Sequence, residues 1–188
     1  MKKIKSVFER NYSTDRQIRN EVVPGSEWVL AGEGIATRKY DGAAVLIRDG
    51  VIYKRYDARN GKTPPIGFEP LEAAPDPNTG HWPGWLECRL PTDVWIFTAR
   101  GSTVGEGELE DGTYEVMGPH YTGRDAKNPE HLTKDVLIRH GVTVLADCPR
   151  DFDGIREYLR DLDIEGVVFH HHDGRMAKVK KKDYGLKR

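Results

Sequence analysis

The stretch Arg38-Lys39-Tyr40-Asp41-Gly42 lies between two apolar runs, at residues 28–30 and 43–47. A lysine that is flanked by strand-like sequence and followed by x-Asp-Gly is a candidate covalent nucleophile. An ammonium group becomes nucleophilic only after it loses a proton, and burial and nearby positive charge both favour that loss. For this stretch alone, a simple turn with Asp-Gly at the bend is the alternative interpretation.

Length and composition are those of a folded protein. The chain has 188 residues, of which 37% are hydrophobic and 31% are charged, so a single domain spanning residues 1–188 is expected. No apolar run approaches the roughly 20 residues of a membrane helix, and the basic N-terminus lacks the apolar segment of a signal peptide. Cys88 and Cys148 lack the spacing of a zinc site and are expected to be free thiols. These features predict a cytoplasmic protein without a membrane partner.

Charge is unevenly distributed along the chain, although the net charge is only −1. Six lysines and arginines fall within residues 178–188, where Asp183 is the single acid. A local basic patch on a nearly neutral protein fits the binding of one polyphosphate or of one strand end. A solvated basic tail is the alternative, because runs of charge are usually exposed.

Turn signals and alternating apolar residues predict a chain made mainly of hairpins. The clearest hairpin joins residues 43–48 to 51–56 through Asp49-Gly50, and a second joins 166–170 to 176–180 around Asp173-Gly174. Further strands are predicted at residues 28–30, 34–40, 113–117, 136–138 and 142–146. Hairpin-connected strands favour an α+β fold with mainly antiparallel sheets and flanking helices.

Helices are predicted at fewer places. Asp151 or Asp153 can cap a helix that runs to about Leu162. A short helix is also predicted within residues 1–23, and residues 93–100 fit either a helix or a strand. The stretch 63–85 is rich in Pro, Gly and Asn and is predicted to be a long surface loop.

Five short fragments follow one another along the chain. They are Lys39-Tyr40-Asp41-Gly42, Arg59-Asn60-Gly61, Tyr114-Glu115-Val116-Met117-Gly118, Glu165-Gly166-Val167-Val168-Phe169 and Lys178-Val179-Lys180. This ordered set resembles the motifs of the covalent nucleotidyltransferases, the superfamily of ATP-dependent DNA ligases, RNA ligases and mRNA capping enzymes. The resemblance covers most of the chain, from Lys39 to Lys180. Each fragment alone is degenerate, whereas the ordered set of five is specific.

The closer resemblance is to small single-domain ATP-dependent RNA ligases, which join 5′-phosphate to 3′-hydroxyl ends. It is carried by phrases at residues 33–37, 112–115, 118–119, 128–130 and 137–141. One departure is Arg38, because ligases often have Glu before the nucleophile. The implied fold is a ligase adenylation domain without an OB barrel. The alternatives are a DNA nick ligase or capping enzyme, which normally carry such a barrel, and a catalytically silent nucleotide or RNA sensor.

The resemblance implies that Lys39 attacks the α-phosphorus of ATP and forms a lysyl-AMP intermediate. AMP would then pass to an RNA 5′-phosphate, and a 3′-hydroxyl end would displace it. Lys178 and Lys180 alternate along a predicted strand, so both point to one face, where they would neutralise the phosphate. The implied partners are therefore ATP and RNA ends, and the oligomeric state stays open.

Five further residues are assigned roles, and three of them, Glu115, Arg59 and Glu165, have a simpler alternative. Glu115 and Arg59 would contact the ribose, although an exposed strand residue and a plain turn residue are the alternatives. Phe169 is a candidate wall for the adenine. Glu165 would hold Mg²⁺ or Mn²⁺ with Asp41 in the same shell, unless Glu165 only connects a helix to a strand.

The run His170-His171-His172 also invites a metal interpretation. No Cys or acidic partner stands at zinc spacing around it. A polar hairpin tip is therefore the favoured interpretation of this run.

Overall fold

Antiparallel hairpins form most of the structure, as the turn signals predict. The computed structural model describes residues 4–59, 61–77, 79–102, 109–121 and 132–187. Two compact units are distinguished, residues 41–140 (unit 1) and residues 4–40 with 141–188 (unit 2). Asn60 and the phrase at 128–130 lie outside the described residues. The single nucleotidyltransferase domain stays a prediction.

The elements, in chain order, are β1 (Lys5–Ser6), β2 (Phe8–Arg10), β3 (Ile18–Val22), α1 (Glu27–Leu30), β4 (Ile35–Lys39), β5 (Ala43–Arg48), β6 (Val51–Arg59), β7 (Glu69–Pro70), β8 (His81–Glu87), α2 (Val94–Arg100), β9 (Gly112–Met117), β10 (Val136–Arg139), α3 (Phe152–Asp161), β11 (Gly166–His170) and β12 (Met176–Lys180). A 3₁₀ turn at Lys181–Tyr184 follows β12. The α+β class with mostly antiparallel sheets is confirmed. None of the sheets closes into a barrel within the described ranges, and no helix there is long and apolar enough to cross a membrane.

Unit 1 is built on a six-stranded antiparallel sheet with the order β10-β9-β5-β6-β8-β7. The predicted hairpin at residues 43–56 forms its centre, as β5 and β6. One sheet face packs against α2 in a core that includes Val45, Ile47, Ile52, Ile96, Ala99, Tyr114, Val116 and Leu137. The ambiguous residues 93–100 are therefore mainly helical.

The long loop predicted at residues 63–85 is wrong at Glu69–Pro70, which form β7, and from His81 onward, where β8 begins. Seven residues of β8 pair with β6, and this long-range pairing outweighs the local turn tendency of Pro83 and Gly84. Gly84 also fits because a Cβ there would lie 2.3 Å from the ring of Phe68. β8 forms because the edge of β6 is available to pair with it. The local sequence does not reveal that this edge is available.

Unit 2 holds a four-stranded sheet with the order β1-β12-β11-β4, in which only the β1–β12 pair is parallel. The predicted helix is α3, and its N-cap is Asp151, which accepts a hydrogen bond from the Gly154 amide at 2.8 Å. Ile155 and Leu159 bury its apolar face in the core. This cap and the helical spacing of the apolar residues are local features, so they were predictable.

Three local predictions in unit 2 are wrong. Residues 5–22 form strands β1 to β3 rather than a helix, and residues 28–30 belong to α1 rather than to a strand. Residues 142–146 make one isolated bridge, between Thr37 and Val144, instead of a strand. Short apolar runs do not distinguish helix from strand, and the pairing partner decides.

Lys181 is buried, so the basic run at residues 178–188 contains a lysine with a structural role as well as surface lysines. Its ammonium group donates to the carbonyls of Arg160 at 3.1 Å and Leu162 at 2.7 Å, at the end of α3. Cations at this position satisfy free carbonyls and favour the helix dipole. The solvated-tail interpretation therefore does not apply to Lys181.

We expect Lys181→Met to lower the free energy of unfolding by about 1–3 kcal/mol, because the carbonyls of Arg160 and Leu162 lose the buried ammonium that donates to them. Urea denaturation followed by circular dichroism measures the change. The matched control is Lys182→Met, since Lys182 is exposed and surface changes stay within about 0.5 kcal/mol. Equal stability of the two variants would contradict the capping role.

Candidate active site

Three neighbouring strands of unit 2 bring the predicted lysines onto one sheet face. In the central strand, β11, Gly166 lies directly opposite Lys180 of β12 and Lys39 of β4. Two residues further along β11, Val168 lies opposite Lys178. Side chains alternate along strands, so all three lysines share the face that carries Gly166 and Val168. We call Lys39, Lys178, Lys180 and Glu165 the lysine cluster.

Gly166 is the residue that this face requires between the two lysine strands. A Cβ at Gly166 would lie 2.2 Å from the carbonyl oxygen of Val179 and 2.8 Å from the Cα of Lys180. Any other residue would push β11 away from β12. The Glu-Gly pair of the fourth fragment thus combines a carboxylate with a close strand contact.

Glu165 connects the two outer lysines. It lies in the bend before β11 and is only 7% exposed. Its Oε2 accepts a hydrogen bond from the Lys39 ammonium, and its Oε1 accepts one from Lys180 at 2.7 Å. Burial by itself raises the pKa of Glu165, but the charges and hydrogen bonds of Lys39 and Lys180 outweigh it and hold the pKa below its usual value. The carboxylate is therefore ionised at neutral pH.

Lys178 has a pKa below the usual value for lysine. Burial, followed by the positive charges of Lys180 and Lys39, lowers the pKa of Lys178 to about 8. A lysine with this pKa exchanges its proton near physiological pH. An anion bound beside it would favour the charged form.

Two residues that sequence analysis missed fix the backbone at Lys180. Asp183 is buried, and its Oδ2 accepts a hydrogen bond from the Lys180 amide at 3.1 Å. Its Oδ1 forms an ion pair with Arg10 of β2. The sequence signal was the isolated acid within a basic run, but Arg10 lies 173 positions away from Asp183.

Glu115 forms a separate cluster, which lies entirely within unit 1. Its Oε1 accepts a hydrogen bond from the Gly42 amide at 3.0 Å, and its Oε2 lies 2.9 Å from Nε2 of His140. Glu115 is 8% exposed, so it is not the exposed strand residue of the alternative interpretation. We call Gly42, Glu115 and His140 the carboxylate cluster. Sequence analysis placed His140 only in a family-like phrase and gave it no role.

The remaining predicted site residues lie at different places. Arg59 is exposed at the end of β6, and Asp41 is partly buried, both within unit 1. Phe169 has no exposed surface and lies in the unit 2 core, on the face of β11 opposite to the lysines. In this conformation it offers no surface to a base, whereas Val168 lies on the lysine face.

The three consecutive histidines point to different partners. His170 Nε2 lies 2.9 Å from the hydroxyl of Thr37, and His171 is buried with its Nε2 2.8 Å from Glu33. His172 is exposed. Across the described part of the chain, no three His, Cys, Asp or Glu side chains are grouped to hold a metal.

A divalent ion of the kind the family resemblance implies is compatible with Glu165 as one ligand. Both Glu165 oxygens contact lysine nitrogens here, so an ion would replace one of these contacts. Mg²⁺ commonly takes one or two carboxylates and completes its shell with water and nucleotide phosphate. Glu165 supplies the single carboxylate that this pattern needs from the lysine cluster.

Comparison with known proteins adds no identification. The sequence matches no protein-family model and no curated protein. The resemblance to nucleotidyltransferases therefore stays a prediction.

Proposed function

We propose that this protein is an ATP-dependent RNA ligase that joins 5′-phosphate and 3′-hydroxyl ends through a lysyl-AMP intermediate. The observation that supports it is the convergence of Lys39, Lys178 and Lys180 around Glu165 on one sheet face. These residues belong to three of the five fragments: Lys39 lies on β4, Glu165 lies in the bend before β11, and both other lysines lie on β12. A solvated basic tail would not place Lys180 against a buried carboxylate that also pairs with Lys39 of β4.

In the first step, the Lys39 nitrogen forms a bond to the α-phosphorus of ATP, and the bond from that phosphorus to pyrophosphate breaks. The nitrogen passes from ammonium to phosphoramidate, so it releases two protons. Lys178 and Lys180 stabilise the negative charge that grows on the phosphate oxygens. A divalent ion at Glu165, when bound, would neutralise further phosphate charge.

Glu165 has two roles in this proposal. Before the nucleotide binds, its carboxylate holds Lys39 and Lys180 in place as an ion-paired set. Once Lys39 is adenylylated, its nitrogen no longer carries the positive charge that pairs with Glu165. That oxygen is then free for an ion or for the next substrate.

Two transfers follow. An oxygen of the RNA 5′-phosphate attacks the phosphorus of lysyl-AMP, and the Lys39 nitrogen leaves. The 3′-hydroxyl of the second RNA end then attacks the activated 5′-phosphorus, and AMP leaves. Cations at Lys178 and Lys180 suit each step, because every transition state carries negative charge on phosphate.

We expect nucleotide binding to be coupled to proton uptake at Lys178. At pH 8 roughly half of the Lys178 side chains are neutral in the free protein, and a bound polyphosphate would protonate them. Affinity should therefore fall as the pH rises through 8. Titration calorimetry with α,β-methylene-ATP, in buffers that differ in ionisation enthalpy, should show an uptake of roughly half a proton at pH 8.

The matched variants for this measurement are Lys178→Met and Lys182→Met. Proton uptake should disappear in the first and persist in the second, because Lys182 is exposed outside the cluster. Undiminished uptake in Lys178→Met would assign the proton to another group.

A ligation assay tests the proposed function. The protein is incubated with ATP, a divalent ion and matched substrates, namely single-stranded RNA, nicked RNA and nicked DNA. Joined RNA is the expected product. Joining of DNA alone would favour a nick ligase, a covalent adduct with GTP alone would favour a capping-type enzyme, and binding without any adduct would favour a sensor.

A further inference from the structure

The carboxylate cluster of unit 1 contains a contact between Glu115 and His140 that has no role in the proposed transfer steps. Glu115 is almost fully buried, yet each of its oxygens has a donor, the Gly42 amide on one and His140 on the other. An ionised carboxylate only accepts hydrogen bonds, so His140 donates from Nε2 when Glu115 is ionised. Two contacts on different oxygens fix the rotation of the carboxylate.

The environment of the other ring nitrogen of His140, Nδ1, indicates which interaction sets the orientation of the ring. Its Nδ1 is buried and has no hydrogen-bond partner among the residues that the structure describes. The His140 backbone amide is bound separately, to the carbonyl of Thr113 at 3.0 Å. A buried nitrogen without a partner is unfavourable, so the ring orientation serves Glu115 rather than its own Nδ1.

We propose that His140 is a positioning residue that aims the Glu115 carboxylate at a ribose hydroxyl, so that the preference for ATP over a deoxy analogue depends on His140. The inference rests on the proposed function, together with the ribose contact that the family resemblance implies for Glu115. A carboxylate offers about four lone-pair positions. Gly42 and His140 occupy two, which leaves acceptor capacity for a sugar hydroxyl.

A site built around a fixed hydrogen-bond acceptor discriminates strongly against a ligand that lacks the donor. If the acceptor is free to rotate, the ribose hydroxyl loses its hydrogen-bond partner. The contacts of the rest of the nucleotide stay the same. Loss of the His140 donor should therefore weaken ATP binding and leave the binding of the deoxy analogue nearly unchanged.

The test is calorimetric measurement of Kd for ATP, 2′-deoxy-ATP and 3′-deoxy-ATP without a divalent ion. The wild type should prefer ATP over at least one deoxy analogue by about tenfold or more, the value of a hydrogen bond to a charged group. His140→Leu should lose that preference, whereas His140→Gln should keep most of it, because the amide can donate from a similar position. The control is His172→Gln at an exposed histidine, which should match the wild type.

Several results would overturn the proposal. These are an unchanged preference in His140→Leu, an equal loss of affinity for ATP and the deoxy analogues, or no preference in the wild type. If His140→Leu fails to fold, His140→Asn replaces it, since the shorter amide cannot place its donor at Nε2. In that variant too the preference must fall.

Intact-mass measurement of AMP attachment separates this proposal from the proposed function. If the wild type forms the adduct but the ribose preference is independent of His140, the ligase function stands and the positioning role fails. If no adduct forms but the ribose preference depends on His140, the positioning role stands and the ligase function fails. If ATP does not bind at all, both are wrong.

Discussion

Replacing Lys39 with alanine is expected to abolish covalent attachment of AMP. Lys39 is the lysine of the Lys-x-Asp-Gly fragment, and its ammonium group contacts the buried carboxylate of Glu165. An alanine side chain leaves no nitrogen to form the bond to phosphorus, so the loss should be complete rather than partial. Intact-mass spectrometry after incubation with ATP and a divalent ion measures one added AMP on the wild type and none on Lys39→Ala.

Lys182→Ala is the matched control, because it removes an exposed lysine of the same basic run. It should gain AMP like the wild type. Lys39→Arg adds a second control, since it keeps the positive charge beside Glu165 but removes the amine. An adduct that persists on Lys39→Ala would move the nucleophile to another residue, and peptide mapping would locate it.

Replacing Glu165 with glutamine or alanine should slow adenylylation by more than about 10²-fold, the loss typical of one strong electrostatic contact. The glutamine keeps the shape of the side chain but removes the charge that pairs with Lys39 and Lys180. Single-turnover measurement at saturating ATP gives the rate. Glu157→Gln is the control, because that carboxylate is exposed on α3 and pairs only locally with Arg160.

The same substitutions of Glu165 should raise the affinity for the nucleotide, although they slow adenylylation. With Glu165 uncharged, the positive charges of Lys39 and Lys180 are no longer neutralised, so α,β-methylene-ATP should bind more tightly in the absence of a divalent ion. Slower chemistry with tighter binding distinguishes this role from partial unfolding, which weakens both. An unchanged rate in Glu165→Ala with excess Mn²⁺ would refute the assignment.

Several elements were predictable because their signals are local. The Asp49-Gly50 turn and its alternating flanks specify β5 and β6, and Asp151 with apolar residues at helical spacing specifies α3. The alternation of Lys178 and Lys180 along β12 placed both on one face. In each case neighbouring residues contain the information.

Other elements depended on distant partners and were predicted wrongly. Residues 81–87 form β8 because the edge of β6 is available to pair with them. Residues 28–30 are helical, with Trp28 and Val29 buried in the unit 2 core. The side of β11 on which Phe169 lies also follows from the strand register, and its role as a wall for the adenine stays a prediction.

The sequence by itself determined which residues carry reactive groups, in which order they occur, and which of them alternate along a strand. Only the tertiary structure decided that Glu165 lies between Lys39 and Lys180, and that His140 contacts Glu115. The physical reason is the range of the interactions. Turns, caps and alternation depend on a few adjacent residues, whereas the Lys39–Glu165 pair joins positions 126 residues apart. Such a pair exists only once strand pairing and burial have fixed the register of three strands.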